Sequence, residues 1–176
     1  MKTPRIQIAK PTGPTANPKC TDSGRAVAFW RAEIASKPRF NARAESYSVL
    51  TLDKERRFTD AHAVASRSFG NAQRFTDELF QADFLRGVSE WVLIHHRPGV
   101  ALVASADDLA LVAAVILAGR ARKTELLDAL IIGTPDDVHL SGTLSFRKIR
   151  GFTAEIPFAE TSKKAVKTSA KPEAQT

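Results

Sequence analysis

Cysteine is almost absent from the sequence, since Cys20 is the only one among 176 residues. A single cysteine excludes an intramolecular disulfide and any zinc site built on several thiolates, and it is typical of proteins from a reducing compartment. The chain also lacks a run of about 18 uncharged apolar residues, so we expect no transmembrane helix. The basic start of the chain contains no apolar stretch, which argues against a signal peptide. We therefore expect a cytoplasmic protein without a membrane partner.

The centre of the chain carries almost no net charge. The formal net charge is +7, but residues 26–146 carry 14 basic and 15 acidic residues. The excess lies in residues 1–25, with five basic and one acidic residue, and in residues 147–176, with seven basic and three acidic residues. Both compositions are typical of disordered segments, and we expect disordered tails at 1–25 and 157–176. Such tails can contact nucleic acid weakly by releasing counterions, although a solubilising role is the simpler interpretation.

The central region has the apolar periodicity of both helices and strands. Helices are predicted over residues 24–36, 76–86 and 105–122, the last two with Thr76 and Ser105 as candidate N-caps. Strands are predicted over residues 47–52, 58–65, 91–94 and 126–132, with closing strands over 139–146 and 150–156. The alternation of strands and helices predicts an α/β fold.

One stretch of the sequence brings together side chains that can do chemistry. The apolar strand 91–94 leads directly into His95, His96 and Arg97, and Ser105 and Asp108 open the next helix. α/β folds place their sites at the ends of strands and the starts of helices. Because alternate side chains of an extended segment point the same way, His95 and Arg97 are expected to face one pocket. We expect His96 to be an exposed strand-end or loop residue.

The spacing His95-x-Arg97-Pro98-x(6)-Ser105-x-x-Asp108 resembles the JAB/MPN (JAMM) metalloprotease motif H-x-H-x(7)-S-x-x-D, most closely in its RadC-like branch. The segment 127–133, LDALIIG, is similar to a strand of that family. The resemblance covers about residues 26–146, and we place the domain at 26–150. It implies a cytidine-deaminase-like α/β fold, in which helices flank a mixed central sheet.

The resemblance also implies roles for individual residues. In the family, two His and one Asp hold Zn²⁺, a Glu is the general base, and a Ser stabilises the oxyanion. His95 and Asp108 stand at ligand positions and Ser105 at the oxyanion position. The second His is replaced by Arg97, and counting from the first strand puts His62 at the general-base position. A guanidinium has no lone pair for a metal, so we predict that Arg97 takes the place of the ion and pairs with Asp108.

Two functional hypotheses follow from these replacements. The first is a catalytically inactive RadC-like domain without a cofactor, which binds an unidentified protein partner or acts as a scaffold. The alternative is a zinc-dependent hydrolase with the altered ligand set His62, His95 and Asp108, since two imidazoles and a carboxylate suffice to bind zinc. The family's label of DNA repair has no independent support in this sequence.

Overall fold

The described part of the chain forms one five-stranded sheet with helices on both faces. A computed structural model describes residues 17–64, 71–133 and 142–149. The helices are α1 Ser23–Trp30, α2 Ala72–Gln81 and α3 Ala106–Ala121, and the strands are β1 Ser46–Leu52, β2 Phe58–Val64, β3 Glu90–His96, β4 Glu125–Ile132 and β5 Thr143–Ser145. A π-helical turn, Arg31–Ala35, extends α1, and short 3₁₀ turns occupy Asp83–Leu85 and Phe146–Lys148.

The sheet is mixed, with the strand order β2-β1-β3-β4-β5. β3 and β4 are parallel, whereas the other neighbours are antiparallel. Parallel strands need a crossover connection, and α3 provides it between β3 and β4. The predicted α/β fold with a mixed central sheet between helices is therefore confirmed.

The two faces of the sheet bury separate apolar cores. Trp91 and Leu93 of β3 face α2 and α3, while Val92 and Ile94 pack with Trp30 of α1 on the other face. β3 is covered on both sides, which explains why its sequence is apolar at consecutive positions. Among the described residues, no helix is long and apolar enough to cross a bilayer.

Helix α2 differs from the prediction at both ends. It begins at Ala72, with the Asn71 side chain accepting from the backbone N–H of Arg74. Thr76 lies buried inside the helix, where its hydroxyl donates to the carbonyl of Ala72. The helix ends at Gln81 rather than Arg86 because the chain changes to a 3₁₀ turn.

Residues 17–25, which were predicted to belong to a disordered tail, contact the rest of the fold. The carbonyl of Pro18 accepts from the N–H of Phe58, and the N–H of Cys20 donates to the carbonyl of Arg56. Burial, assisted by the charges of Asp128 and Asp22, raises the pKa of the Cys20 thiol to about 11. Residues 17–25 therefore belong to the fold rather than to a tail. Residues 1–16, the predicted strand 150–156 and the predicted tail 157–176 lie outside the described residues.

The carboxylate of Asp128 joins helix α1 to strand β5. Asp128 of β4 is buried, and its Oδ2 accepts hydrogen bonds from the hydroxyls of Ser145 (2.6 Å) and Ser23 (3.2 Å). Its Oδ1 accepts from the backbone N–H of Arg147 at 3.1 Å. The start of α1 and the end of β5 are thereby held at the same point of the sheet.

Candidate functional site

The candidate site lies where β3 ends and α3 begins. β3 runs through His95 and His96, two residues beyond the predicted strand 91–94, and the N–H of Arg97 still donates to the carbonyl of Ile132 on β4. Ser105 caps α3, as predicted, because its Oγ accepts from the N–H of Asp108 at 3.1 Å. The Asp108 carboxylate in turn accepts from the N–H of Ser105 at 2.8 Å, which completes a capping box.

The predicted contact between Arg97 and Asp108 is present. Nη1 of Arg97 lies 3.0 Å from Oδ2 of Asp108. The two side chains are only 14% and 7% exposed. Nη2 of Arg97 donates to the carbonyl of Val103 at 2.8 Å, which fixes the guanidinium between the loop and the helix.

Asp108 is the centre of the cluster. Its Oδ2 accepts from the N–H of Ser105, from the hydroxyl of Ser105 at 2.7 Å and from Arg97. Its Oδ1 lies 3.3 Å from Nδ1 of His95. Burial disfavours the charged carboxylate, but the hydrogen bonds from His95 and Ser105 and the charge of Arg97 outweigh it and hold the pKa of Asp108 well below its usual range.

His95 is held between two carboxylates. Its Nδ1 faces Asp108, and its Nε2 lies 2.5 Å from Oε1 of Glu45. The ring stacks on Tyr47, with 4.2 Å between the centroids. The sequence reasoning missed Glu45 and Tyr47. Tyr47 pairs with His95 across β1 and β3, and that register is not visible in the sequence.

His96 does not belong to the site. It was predicted to be exposed, but it is 1% exposed and faces the opposite side of the sheet, against Trp30 and Phe40. Its Nδ1 is 3.2 Å from the carbonyl of Ala44. Burial lowers the pKa of His96 and favours the neutral ring. The prediction failed because β3 continues beyond its apolar run.

His62 is also separated from the cluster. It pairs with Val49 on one side of β1, whereas His95 pairs with Tyr47 on the other. His62 stacks on Phe84 at 4.3 Å, and burial lowers its pKa.

The alternative ligand set of His62, His95 and Asp108 is therefore not brought together. Within the described part of the chain, no three His, Cys, Asp or Glu side chains lie where they could hold one metal ion.

One small cavity lies next to the cluster. A cavity of about 10 Å³ borders His95 and Asp108, which is no more than the room for one water molecule. A cavity of about 610 Å³ lies at the other end of the sheet, beside Lys54 and Lys123.

The sequence was also compared with known proteins and protein families. A search among curated proteins found no match. The model of the RadC-like JAB domain matches residues 20–150. This match covers most of the chain and contains every described helix and strand together with the cluster around Asp108. The chain therefore belongs to the RadC-like JAB domain family.

Proposed function

We propose that this chain is a catalytically inactive member of its family, which works without zinc as a binding or scaffold domain for a protein partner. The observation that carries the proposal is the buried ion pair between Arg97 and Asp108. The positive charge of the guanidinium balances the negative charge of the buried carboxylate, as a metal ion would do.

The donor atoms of the cluster do not fit a zinc ion. Arg97 keeps a fixed positive charge and has no lone pair, so it repels a cation and cannot bind one. Oδ2 of Asp108 already accepts three hydrogen bonds. The two nitrogens of His95 both face carboxylates, at Asp108 and Glu45.

The position of His62 gives a second reason. Zinc peptidases of this kind use a general base next to the metal-bound water. His62, at the position of that base, packs against Phe84 and lies beyond β1 from His95. Peptide hydrolysis by the family's arrangement is therefore not expected.

Zinc content tests the proposal directly. Elemental mass spectrometry of the untagged protein is expected to find no stoichiometric zinc in the wild type. Arg97→His restores two imidazoles beside one carboxylate, so this variant is expected to gain zinc, and adding Asp108→Ala is expected to remove it again. Stoichiometric zinc in the wild type that is lost in Asp108→Ala would overturn the proposal.

Hydrolysis is tested separately. The wild type, supplied with zinc, is incubated with a mixed peptide library and the products are read by mass spectrometry. We expect no cleavage above that of the Asp108→Ala variant. Cleavage that disappears in Asp108→Ala would support the hydrolase hypothesis instead.

A further inference from the structure

A cavity lies at the end of the sheet opposite the cluster around Asp108. Its volume of about 610 Å³ is within the range of small-molecule sites. The turn between β1 and β2, the end of α3 and the first residues of β3 and β4 form its walls. Segments that are far apart in the sequence therefore meet around one space.

The inner wall of the cavity is held by hydrogen bonds and by the core. The carbonyl of Ser89, just before β3, accepts from the N–H of Glu125 at 2.7 Å and from the hydroxyl of Thr124 at 3.5 Å. The lining residues Ile116, Thr124 and Leu126 are each less than a tenth exposed. The shape of the cavity is therefore largely formed before any ligand enters.

Three cations line this cavity from three separate segments of the chain. Lys54 belongs to the turn between β1 and β2, Arg120 to the last turn of α3, and Lys123 to the turn before β4. Among the described residues, neither lysine forms an ion pair. Like charges that converge in this way produce a positive potential, which attracts an anion.

The carboxylates at the cavity only partly offset these charges. Glu90 is bound by Arg56, whose Nε and Nη2 each donate to it at 3.0 Å. Glu125 is the other carboxylate of the described lining. With Arg56 included, four cations surround two carboxylates, an excess of two positive charges. That excess matches the charge of one phosphate monoester near pH 7.

Lys123 occupies a backbone position that normally holds glycine. Helix α3 ends in a Schellman motif, because the N–H of Lys123 donates to the carbonyl of Arg120 and that of Thr124 to the carbonyl of Gly119. Lys123 has a φ of 58°, where glycine is favoured because it has no Cβ. These carbonyls already have backbone donors, so the lysine side chain is not needed to cap the helix. A costly conformation of this kind is typical of residues that contact a ligand.

We infer that this cavity binds a small molecule that carries a phosphate monoester. Lys54 and Lys123 bind the phosphate as point charges, and Ile116 and Leu126 contact the organic part of the molecule. An excess of only two charges, with Glu125 in the lining, suits one phosphate group better than a nucleic-acid strand. The inference does not depend on whether the cluster around Asp108 binds zinc.

An NMR titration of the full isotope-labelled chain with phenyl phosphate tests the site in a phosphate-free buffer at low salt. We expect the amide signals of Ser89, Thr124 and Glu125 to shift until they saturate, while the signal of Asp108 stays unchanged. Phenol, which has the same ring without the phosphate, is expected not to shift them. The positions of the shifts distinguish the cavity from the basic terminal segments, which also attract phosphate.

Two substitutions test the lysines. Lys54→Gln and Lys123→Gln each remove one positive charge, so each is expected to raise the dissociation constant of phenyl phosphate about threefold or more. Lys37→Gln is the matched control, because Lys37 is an exposed lysine that does not line the cavity. This control is expected to bind as the wild type does.

Lys123→Gly separates binding from folding. Glycine adopts the left-handed backbone without strain, so this variant is expected to unfold at a temperature no lower than that of the wild type. It should nevertheless bind phenyl phosphate as weakly as Lys123→Gln. Binding equal to that of the wild type would show that the Lys123 side chain does not contact the ligand, and would overturn its role.

Three results would overturn the site itself. The first is the absence of saturable shifts at the cavity with phenyl phosphate and with inorganic phosphate. The second is binding that is unchanged in both Lys54→Gln and Lys123→Gln. The third is shifts that appear only with single-stranded oligothymidylate and are lost in these two variants, since the surface would then bind a nucleic-acid strand.

Discussion

Arg97 and Asp108 form a buried ion pair in which each charge depends on the other. Both side chains are largely removed from water, and Asp108 also accepts from Ser105. Taking two charges out of water is costly, so removal of one partner leaves the other without compensation. The pair should therefore respond to single substitutions far more strongly than an exposed pair does.

A double-mutant cycle in urea tests this expectation. Asp108→Asn is expected to lower the free energy of unfolding by about 3 kcal/mol, because it leaves the Arg97 charge unpaired. Arg97→Met combined with Asp108→Asn should show a coupling energy of about 1 kcal/mol or more. The same cycle on Arg86 and Asp83, which are more than four-fifths exposed, should give less than about 0.5 kcal/mol. Equal coupling in the two cycles would contradict the buried pair.

His96 gives a prediction for pH. Burial among Trp30 and Phe40 lowers its pKa, and the nearby His95 acts in the same direction, while the carbonyl of Ala44 partly opposes them. In the unfolded chain the ring titrates near 6.5. The stability that comes from a neutral His96 is therefore fully present above about pH 6.5 and is lost as the pH falls toward the lower pKa of the folded state.

We expect the free energy of unfolding to fall between pH 7 and pH 5, and to fall less steeply in His96→Phe. Phe keeps an aromatic ring between Trp30 and Phe40 but cannot take up a proton. Urea unfolding at several pH values measures both slopes. Identical slopes in the two proteins would show that His96 does not contribute to the pH dependence.

At the level of elements, the end of α3 packs tightly against the segment that leads into β4. A Cβ added to Gly119 would lie 2.8 Å from the backbone carbonyl oxygen of Thr124. The carbonyl of Gly119 also accepts from the N–H groups of Arg122 and Thr124. A glycine is therefore required by the close approach of the two segments rather than by its own backbone angles.

Gly119→Ala is expected to destabilise the protein by about 1–3 kcal/mol, although alanine is the better helix former. Ala114→Gly in the same helix measures how much a helix favours alanine over glycine. It is expected to lower the free energy of unfolding by about 1 kcal/mol. Thermal or urea unfolding measures the stability of both variants and of the wild type. A stabilised Gly119→Ala would mean that the turn after α3 can shift without cost.

The elements were largely predictable because the apolar pattern reports burial. The continuous run 91–94 predicted the central strand, and the caps of α3 were readable at Ser105. Helix α2 was predicted to begin too late because Thr76 and Asn71 are both good N-caps, and a helix that begins after Asn71 also places Phe75 in the buried core. Boundaries of this kind depend on tertiary contacts.

The cluster was predictable only in part. Arg97 and Asp108 lie on consecutive elements, so their spacing sufficed to predict the contact. The contacts of His95 with Glu45 and of His62 with Phe84 depend on how β1 pairs with its neighbours. Such contacts require the order of the strands and their register, and the predicted strand ranges gave neither.

For the whole molecule, the uneven charge predicts weak binding of polyanions by the terminal segments. Affinity for a DNA duplex of arbitrary sequence is expected to fall as salt rises, because bound counterions are released. A variant with four lysines replaced by glutamine should reduce the slope of log affinity against log salt by up to about 3 to 4. These lysines are Lys163, Lys164, Lys167 and Lys171.

Fluorescence anisotropy at several salt concentrations measures the slope. Replacement of three lysines in the body of the chain by glutamine is the control and should change the slope less. These are Lys37, Lys54 and Lys123. If the control variant loses as much slope as the tail variant, the body rather than the terminal segments binds the polyanion.

The position of Asp128 bears on how the fold is closed. Its buried carboxylate accepts from Ser23 at the start of α1 and from Ser145 in β5, so an early and a late element of the chain meet at one side chain. Folding of this corner therefore has to wait until β5 has been added, because neither serine alone satisfies the carboxylate.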